Sequence, residues 1–199
     1  MNKYNGAFFY SKEICKFFIP TIETDRNWVT LNIPGECADH SIMFIHNNLH
    51  PEKYEWLADF KDLILVCGIR ETAQKVKHLG TPIVLPLSID TEYVKQFAIP
   101  KKDKTKEIAF VGRKQKRCGV NFPPETVFLE DLPRTKLLPA MAEFKKIYGV
   151  GRVALEAKVL NSTVLPYDPR FPNTKRWKVL DSRDAAKMLQ EKLNKIDGR

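Results

Sequence analysis

A glycine-containing turn followed by a charged helix is the place in this sequence best suited to binding a phosphate. Residues 148–168 are YGVGRVALEAKVLNSTVLPYD, and Gly149 and Gly151 permit a tight turn and close approach of the backbone to a ligand. The helix predicted from Val150 offers unsatisfied N–H groups and the positive end of its dipole, which together bind phosphate. Arg152 lies in the first turn, where a cation is disfavoured unless an anion is bound nearby. An ordinary strand-to-helix turn is the alternative interpretation.

The carboxylate of this helix allows two roles. Glu156 follows Arg152 by four residues, so the two side chains lie on one helical face and can form a salt bridge. Alternatively, Glu156 accepts two hydrogen bonds from a ribose diol while Arg152 or the helix end binds phosphate. Tyr148, at the end of the preceding predicted strand, could stack on a base or a sugar.

Short apolar runs alternate with helical segments along the whole chain. Several runs are continuously apolar, which is typical of strands covered on both faces of a parallel sheet. The pattern predicts an α/β fold made of two small Rossmann-like domains with parallel sheets. The predicted strands are Ala7–Tyr10, Trp28–Asn32, Ser41–His46, Leu63–Cys67, Pro82–Pro86, Ile108–Gly112, Thr126–Leu129, Lys146–Tyr148 and Thr163–Pro166. The predicted helices are Glu52–Phe60, Arg70–Leu79, Thr91–Phe97, Arg134–Phe144, Val150–Leu160 and Ser182–Ile196.

A polar segment divides the predicted elements into two groups. Residues 99–107, IPKKDKTKE, begin after a helix and are highly charged, so they are interpreted as a linker. The predicted domains are therefore residues 1–98 and 108–199, the second of which includes a C-terminal helix over 182–196. Ser182 is expected to cap that helix, and Asn161 to end the helix before it in a left-handed conformation.

Basic charge is concentrated in and after this linker. The 199 residues carry a formal net charge of +9, and between Lys101 and Arg117 eight basic residues stand against two acidic ones. This distribution favours a polyanionic partner, although a solvated linker would have the same composition. The four cysteines form no C-x-x-C pair, so neither a disulfide framework nor a zinc site is expected. No apolar run approaches the roughly 20 residues of a membrane helix, and no signal peptide is expected, which favours a cytoplasmic protein.

Four segments, in order, resemble the GT-B glycosyltransferases, a class built from two Rossmann-like domains. They are SIMFIHNN (41–48), DLILVCGIRETAQKVKHLGTPIVLPLSIDTEYVKQF (62–97), IAFVGR (108–113) and GVGRVALEAKVLNSTVLPYD (149–168). The resemblance covers roughly residues 40 to 170. It implies that the first domain serves the acceptor and that the second binds a nucleotide-diphosphate sugar, the donor substrate, without a metal ion or other cofactor.

The resemblance also implies roles for individual residues. Glu156 would bind the ribose hydroxyls of the donor, and Arg113 would contact its diphosphate with help from Lys116 or Arg117. His46 would match a histidine near the catalytic cleft, which makes it the predicted catalytic residue.

This chain departs from that class in ways that leave two functions open. Many members carry a second glutamate eight positions before the first, and that position is Tyr148 here. The chain is also shorter than usual for the class. It is therefore either a minimal glycosyltransferase, whose acceptor would be a polyanion such as modified DNA or an anionic cell-wall polymer, or a binding module for a nucleotide or nucleic acid. Its small size is compatible with a homodimer.

Overall fold

The computed structural model describes residues 11–30, 34–45, 51–114, 119–169 and 174–198. These residues form two compact units. The first contains the described residues up to Leu87 together with those from Ser182 onward, and the second contains Ser88–Asp181. Each unit contains one parallel four-stranded sheet with flanking helices. The predicted α/β class with two small Rossmann-like sheets is confirmed.

The sheet of the first unit runs in sequence order, β1-β2-β3-β4, and all its strands are parallel. The two central strands are buried at every position, as the continuous apolar runs predicted. The strands are β1 (Asn27–Val29), β2 (Ser41–Ile45), β3 (Ile64–Cys67) and β4 (Thr81–Val84). The predicted strand Ala7–Tyr10 lies outside the described residues.

Helical segments complete the first unit. A 3-10 helix spans Pro51–Asp59 and a π-helical turn spans Ile14–Phe18. The α-helices are α1 (Arg70–Val76) and the C-terminal α5 (Ser182–Ile196), whose Leu189 and Leu193 are buried. The hydroxyl of Ser182 donates to Glu13 Oε2 at 3.1 Å, so this side chain joins the start of α5 to the N-terminal part of the chain.

The sheet of the second unit has the order β6-β5-β7-β8, again with all strands parallel. Its strands are β5 (Lys106–Gly112), β6 (Val127–Glu130), β7 (Phe144–Tyr148) and β8 (Thr163–Leu165). Its α-helices are α2 (Thr91–Lys95), α3 (Arg134–Ala142) and α4 (Arg152–Val159). Asn161 has a φ of 62° after α4, which confirms the left-handed residue predicted there.

The division between the units differs from the boundaries predicted at residues 98 and 108. Residues 99–107 lie inside the second unit, and Lys104 of this segment is only 3% exposed. Its Nζ donates to the carbonyl of Ala142 at 2.5 Å and to Ser162 Oγ at 3.2 Å. The C-terminal helix, predicted to belong to the second domain, lies in the first unit. Among the residues described, no helix is long and apolar enough to cross a membrane.

Candidate functional site

The second sheet has a topological switch point between β5 and β7. The chain passes from β5 to β6 on one side, then returns across β5 to reach β7 on the other. In open α/β sheets, ligands bind in the crevice beyond the carboxyl ends of the strands at such a point. The topology therefore places the candidate site at the carboxyl edge of the second sheet, between the ends of β5 and β7.

Most of the predicted site residues that the structure describes belong to this edge. Phe110 of β5 pairs with Tyr148 of β7, so the residues after these two strands leave the sheet side by side. Arg113, which is half-buried, follows β5 directly, and the Gly149–Arg152 turn follows β7. The structure thus brings together two motifs that are separated by more than thirty residues in the sequence.

The two glycines of the turn are needed for different reasons. A Cβ on Gly149 would lie 2.5 Å from Val153 Cγ1, so the close approach of strand end and helix excludes a side chain there. Gly151, which precedes the first residue of α4, has φ 61° and ψ −135°. This conformation is strained for any residue that has a side chain. Glycine is therefore favoured at both positions in the turn that joins β7 to α4.

Glu156 lies one turn into α4 and is buried between two arginines. Its side chain is only 3% exposed, and its Oε1 accepts a hydrogen bond from Arg134 Nη1. Arg152 Nη2 lies 3.6 Å from the same oxygen. The predicted i,i+4 pair between Arg152 and Glu156 is therefore present, and Arg134, which sequence reasoning did not select, belongs to the same cluster. We call these three residues the Arg–Glu–Arg cluster.

Arg134 reaches this cluster from a second helix start. It is the first residue of α3, which begins after β6 at the same carboxyl edge as α4. Its guanidinium also lies over the ring of Tyr93, 5.8 Å from the ring centroid, and its side chain is 12% exposed. One feature of the sequence could have identified Arg134. Like Arg152, it is a cation in the first turn of a helix, where the helix dipole disfavours positive charge.

Aromatic side chains pack behind the turn. The ring of Tyr148 meets that of Phe122 edge-on, with 5.1 Å between centroids. Phe122 in turn packs on Phe110, and Phe110 packs on Tyr167, with centroid distances of 5.1 and 5.2 Å. Tyr148 is half-buried, so the contact with Phe122 holds its ring in place at the end of β7 and leaves part of the ring exposed.

Three predicted site residues, His46, Lys116 and Arg117, lie outside the described residues. Their predicted roles in catalysis and diphosphate binding stay predictions. Among the residues described, no group of three or more His, Cys, Asp or Glu side chains is arranged to hold a metal ion.

The fold and the candidate site together define an α/β protein with two parallel-sheet units and a basic, glycine-containing turn at one switch point. Comparison of the chain with protein-family models, with curated proteins and with solved structures finds no match.

Proposed function

We propose that the protein binds a nucleotide-diphosphate sugar at the carboxyl edge of the second sheet and transfers its sugar without a metal ion. The observation that carries this proposal is the switch point, because it sets Arg113 beside the Gly149–Arg152 turn. The order of motifs resembles that of GT-B glycosyltransferases, and the geometry at the switch point supports a shared site for two of those motifs.

The chemistry of this edge suits a diphosphate leaving group. Sugar transfer develops negative charge on the departing diphosphate, and preorganised donors that face this charge lower the barrier. Arg113, Arg152 and the first N–H groups of α4 are such donors. They bind anionic oxygens in pairs or through the helix dipole, so the site needs no metal ion for this part of the reaction.

The test is a donor screen with two readouts. Wild-type protein is titrated calorimetrically with a panel of nucleotide-diphosphate sugars, and release of the nucleoside diphosphate is then measured with DNA or an anionic glycopolymer as acceptor. Arg113→Met is expected to weaken donor binding at least tenfold. Lys114→Met removes the same charge from the exposed neighbouring residue and should leave binding within twofold. Absence of donor binding across the panel would overturn the proposal.

A second function is favoured by one observation, the tyrosine at the end of β7. Tyr148 stands where many members of the resembled class carry a carboxylate, and its ring packs on Phe122. A binding module would retain nucleotide binding yet release no nucleoside diphosphate from any donor. If its partner is a nucleic acid, affinity must fall steeply with salt because phosphate contacts release counterions. Measurable release from one donor would exclude this second function.

A further inference from the structure

We infer that this site recognises its ligand by phosphate, through Arg134 and Arg152, and that Glu156 positions the two guanidiniums and does not bind ribose. The inference rests on the proposed function only for the location of the ligand. It changes the role that the resemblance to glycosyltransferases implied for Glu156, and it adds Arg134 as a binding residue.

The position of the Glu156 carboxylate argues against a sugar contact. A ribose hydroxyl must come within about 3.0 Å of a carboxylate oxygen to form a hydrogen bond. Glu156 is 3% exposed, and its Oε1 already lies against Arg134 Nη1 and Arg152 Nη2. A diol bound by Oε1 would have to displace a guanidinium, and breaking a buried ion pair is strongly unfavourable.

The positions of the two arginines favour an anion instead. Arg134 and Arg152 are the first residues of α3 and α4, and both helices begin at the carboxyl edge of the sheet. A helix N-terminus and a guanidinium are each groups that bind phosphate. The cluster therefore joins two arginines that start at two positive helix ends, at the sheet edge where a ligand is expected.

Glu156 makes this arrangement possible. Two guanidiniums near two helix N-termini repel one another and the helix dipoles, and a carboxylate between them offsets that repulsion. The contact with the Tyr93 ring further restricts the conformations of the Arg134 side chain. Both side chains are nearly buried, with exposures of 12% and 10%, so little side-chain freedom is lost when an anion binds. Glu156 is thus a positioning residue, and its removal should disturb phosphate binding.

The experiment separates phosphate recognition from ribose recognition. Wild-type protein is titrated with pyrophosphate, with uridine diphosphate, with its 2′,3′-dideoxy analogue and with uridine. We expect pyrophosphate to bind and to compete with uridine diphosphate. The dideoxy analogue should bind within twofold of the parent, and uridine should bind at least a hundredfold more weakly. A tenfold or greater loss on removing the two hydroxyls would overturn the inference, and so would failure of millimolar pyrophosphate to bind.

Variants test the two arginines and the positioning role. Arg134→Met and Glu156→Gln should each weaken pyrophosphate binding at least tenfold, whereas Lys136→Met, an exposed cation on the same helix, should leave it within twofold. Arg134→Lys keeps the charge but loses the planar donor pair, so it should recover only part of the affinity, and it serves if Arg134→Met does not fold. Unchanged pyrophosphate binding in Glu156→Gln would refute the positioning role. Pyrophosphate binding without any sugar release would refute sugar transfer and leave this inference standing.

Discussion

Replacement of Glu156 by glutamine is expected to destabilise the second unit by about 3 kcal/mol. Breaking a buried ion pair by removing one partner costs about 3–5 kcal/mol, because the remaining charge stays buried. Glutamine leaves the guanidiniums of Arg134 and Arg152 in place at 12% and 10% exposure. Its amide oxygen can still accept one hydrogen bond, so the lower end of that range applies. This loss is a large share of the roughly 5–15 kcal/mol by which domains are stable.

Hydrogen exchange measured by mass spectrometry is the suitable assay, because it reports each unit separately. A chain with two units need not unfold in a single transition, whereas exchange gives a local free energy of opening. Peptides from α3 and α4 should lose about 3 kcal/mol of protection in Glu156→Gln. Peptides from β3 and α1, which belong to the first unit, should be unchanged.

Two further variants set the scale. Glu143→Gln removes the partner of Lys106 at 2.6 Å, but those side chains are 44% and 50% exposed, so the cost should stay below about 1 kcal/mol. Arg134→Met leaves Glu156 paired with Arg152 and should cost about 2 kcal/mol, the value of one charge-assisted hydrogen bond. The reasoning is refuted if Glu156→Gln costs no more than Glu143→Gln.

Three other expectations concern groups outside the candidate site. Burial raises the pKa of the Cys67 thiol to about 12, so iodoacetamide at pH 8 should label the exposed Cys15 and spare Cys67 in a peptide map. A hydrogen bond to Asp62 raises the pKa of His40 above 6.5, so its contribution to stability is complete below pH 6.5 and is lost as pH rises through the higher folded value. Proton NMR should show that raised value, and Asp62→Asn should lower it. Lys104→Met removes the hydrogen bonds to the Ala142 carbonyl and to Ser162 Oγ and should cost the second unit about 2 kcal/mol of hydrogen-exchange protection.

Local sequence patterns were sufficient for most of the fold. Continuous apolar runs predicted buried parallel strands, and the observed bounds differ from the predicted ones by a few residues at most. The helix Ser182–Ile196 was predicted at its observed bounds, because one apolar stripe runs through it. The helix predicted at 52–60 is a 3-10 helix over Pro51–Asp59.

Non-local packing explains what the sequence could not show about the two units. The run of charge at residues 99–107 has the composition of a linker, yet Lys104 is buried against the carbonyl of Ala142. The composition of a segment indicates whether it is polar as a whole. It does not indicate which single residue, here Lys104, has a buried side chain. The C-terminal helix likewise follows the second unit in sequence but packs in the first, and no local pattern identifies that partner.

The candidate site shows the same division between local and tertiary information. The turn was predictable because Gly149, Gly151 and Arg152 are adjacent and each has a backbone or charge reason to be there. Arg134 was not predicted, because it lies 22 residues from Glu156 and joins it through packing of two helices. The one sequence feature that indicated a role for Arg134 is its position as the first residue of α3, which matches the position of Arg152 in α4.

The two places where an acidic group was expected determine what this edge can do. One is occupied by Tyr148, whose ring packs on Phe122, and at the other Glu156 is held by two arginines. The Gly149–Arg152 turn, the Arg–Glu–Arg cluster and Tyr148 therefore offer guanidiniums, helix N–H groups and an aromatic ring, which are groups that bind phosphate and bases. If the protein transfers sugar, His46, which the resemblance to GT-B glycosyltransferases implies lies near the catalytic cleft, stays the predicted catalytic residue. Loss of transfer with full donor binding in His46→Gln would support that assignment, and equal loss of both would contradict it.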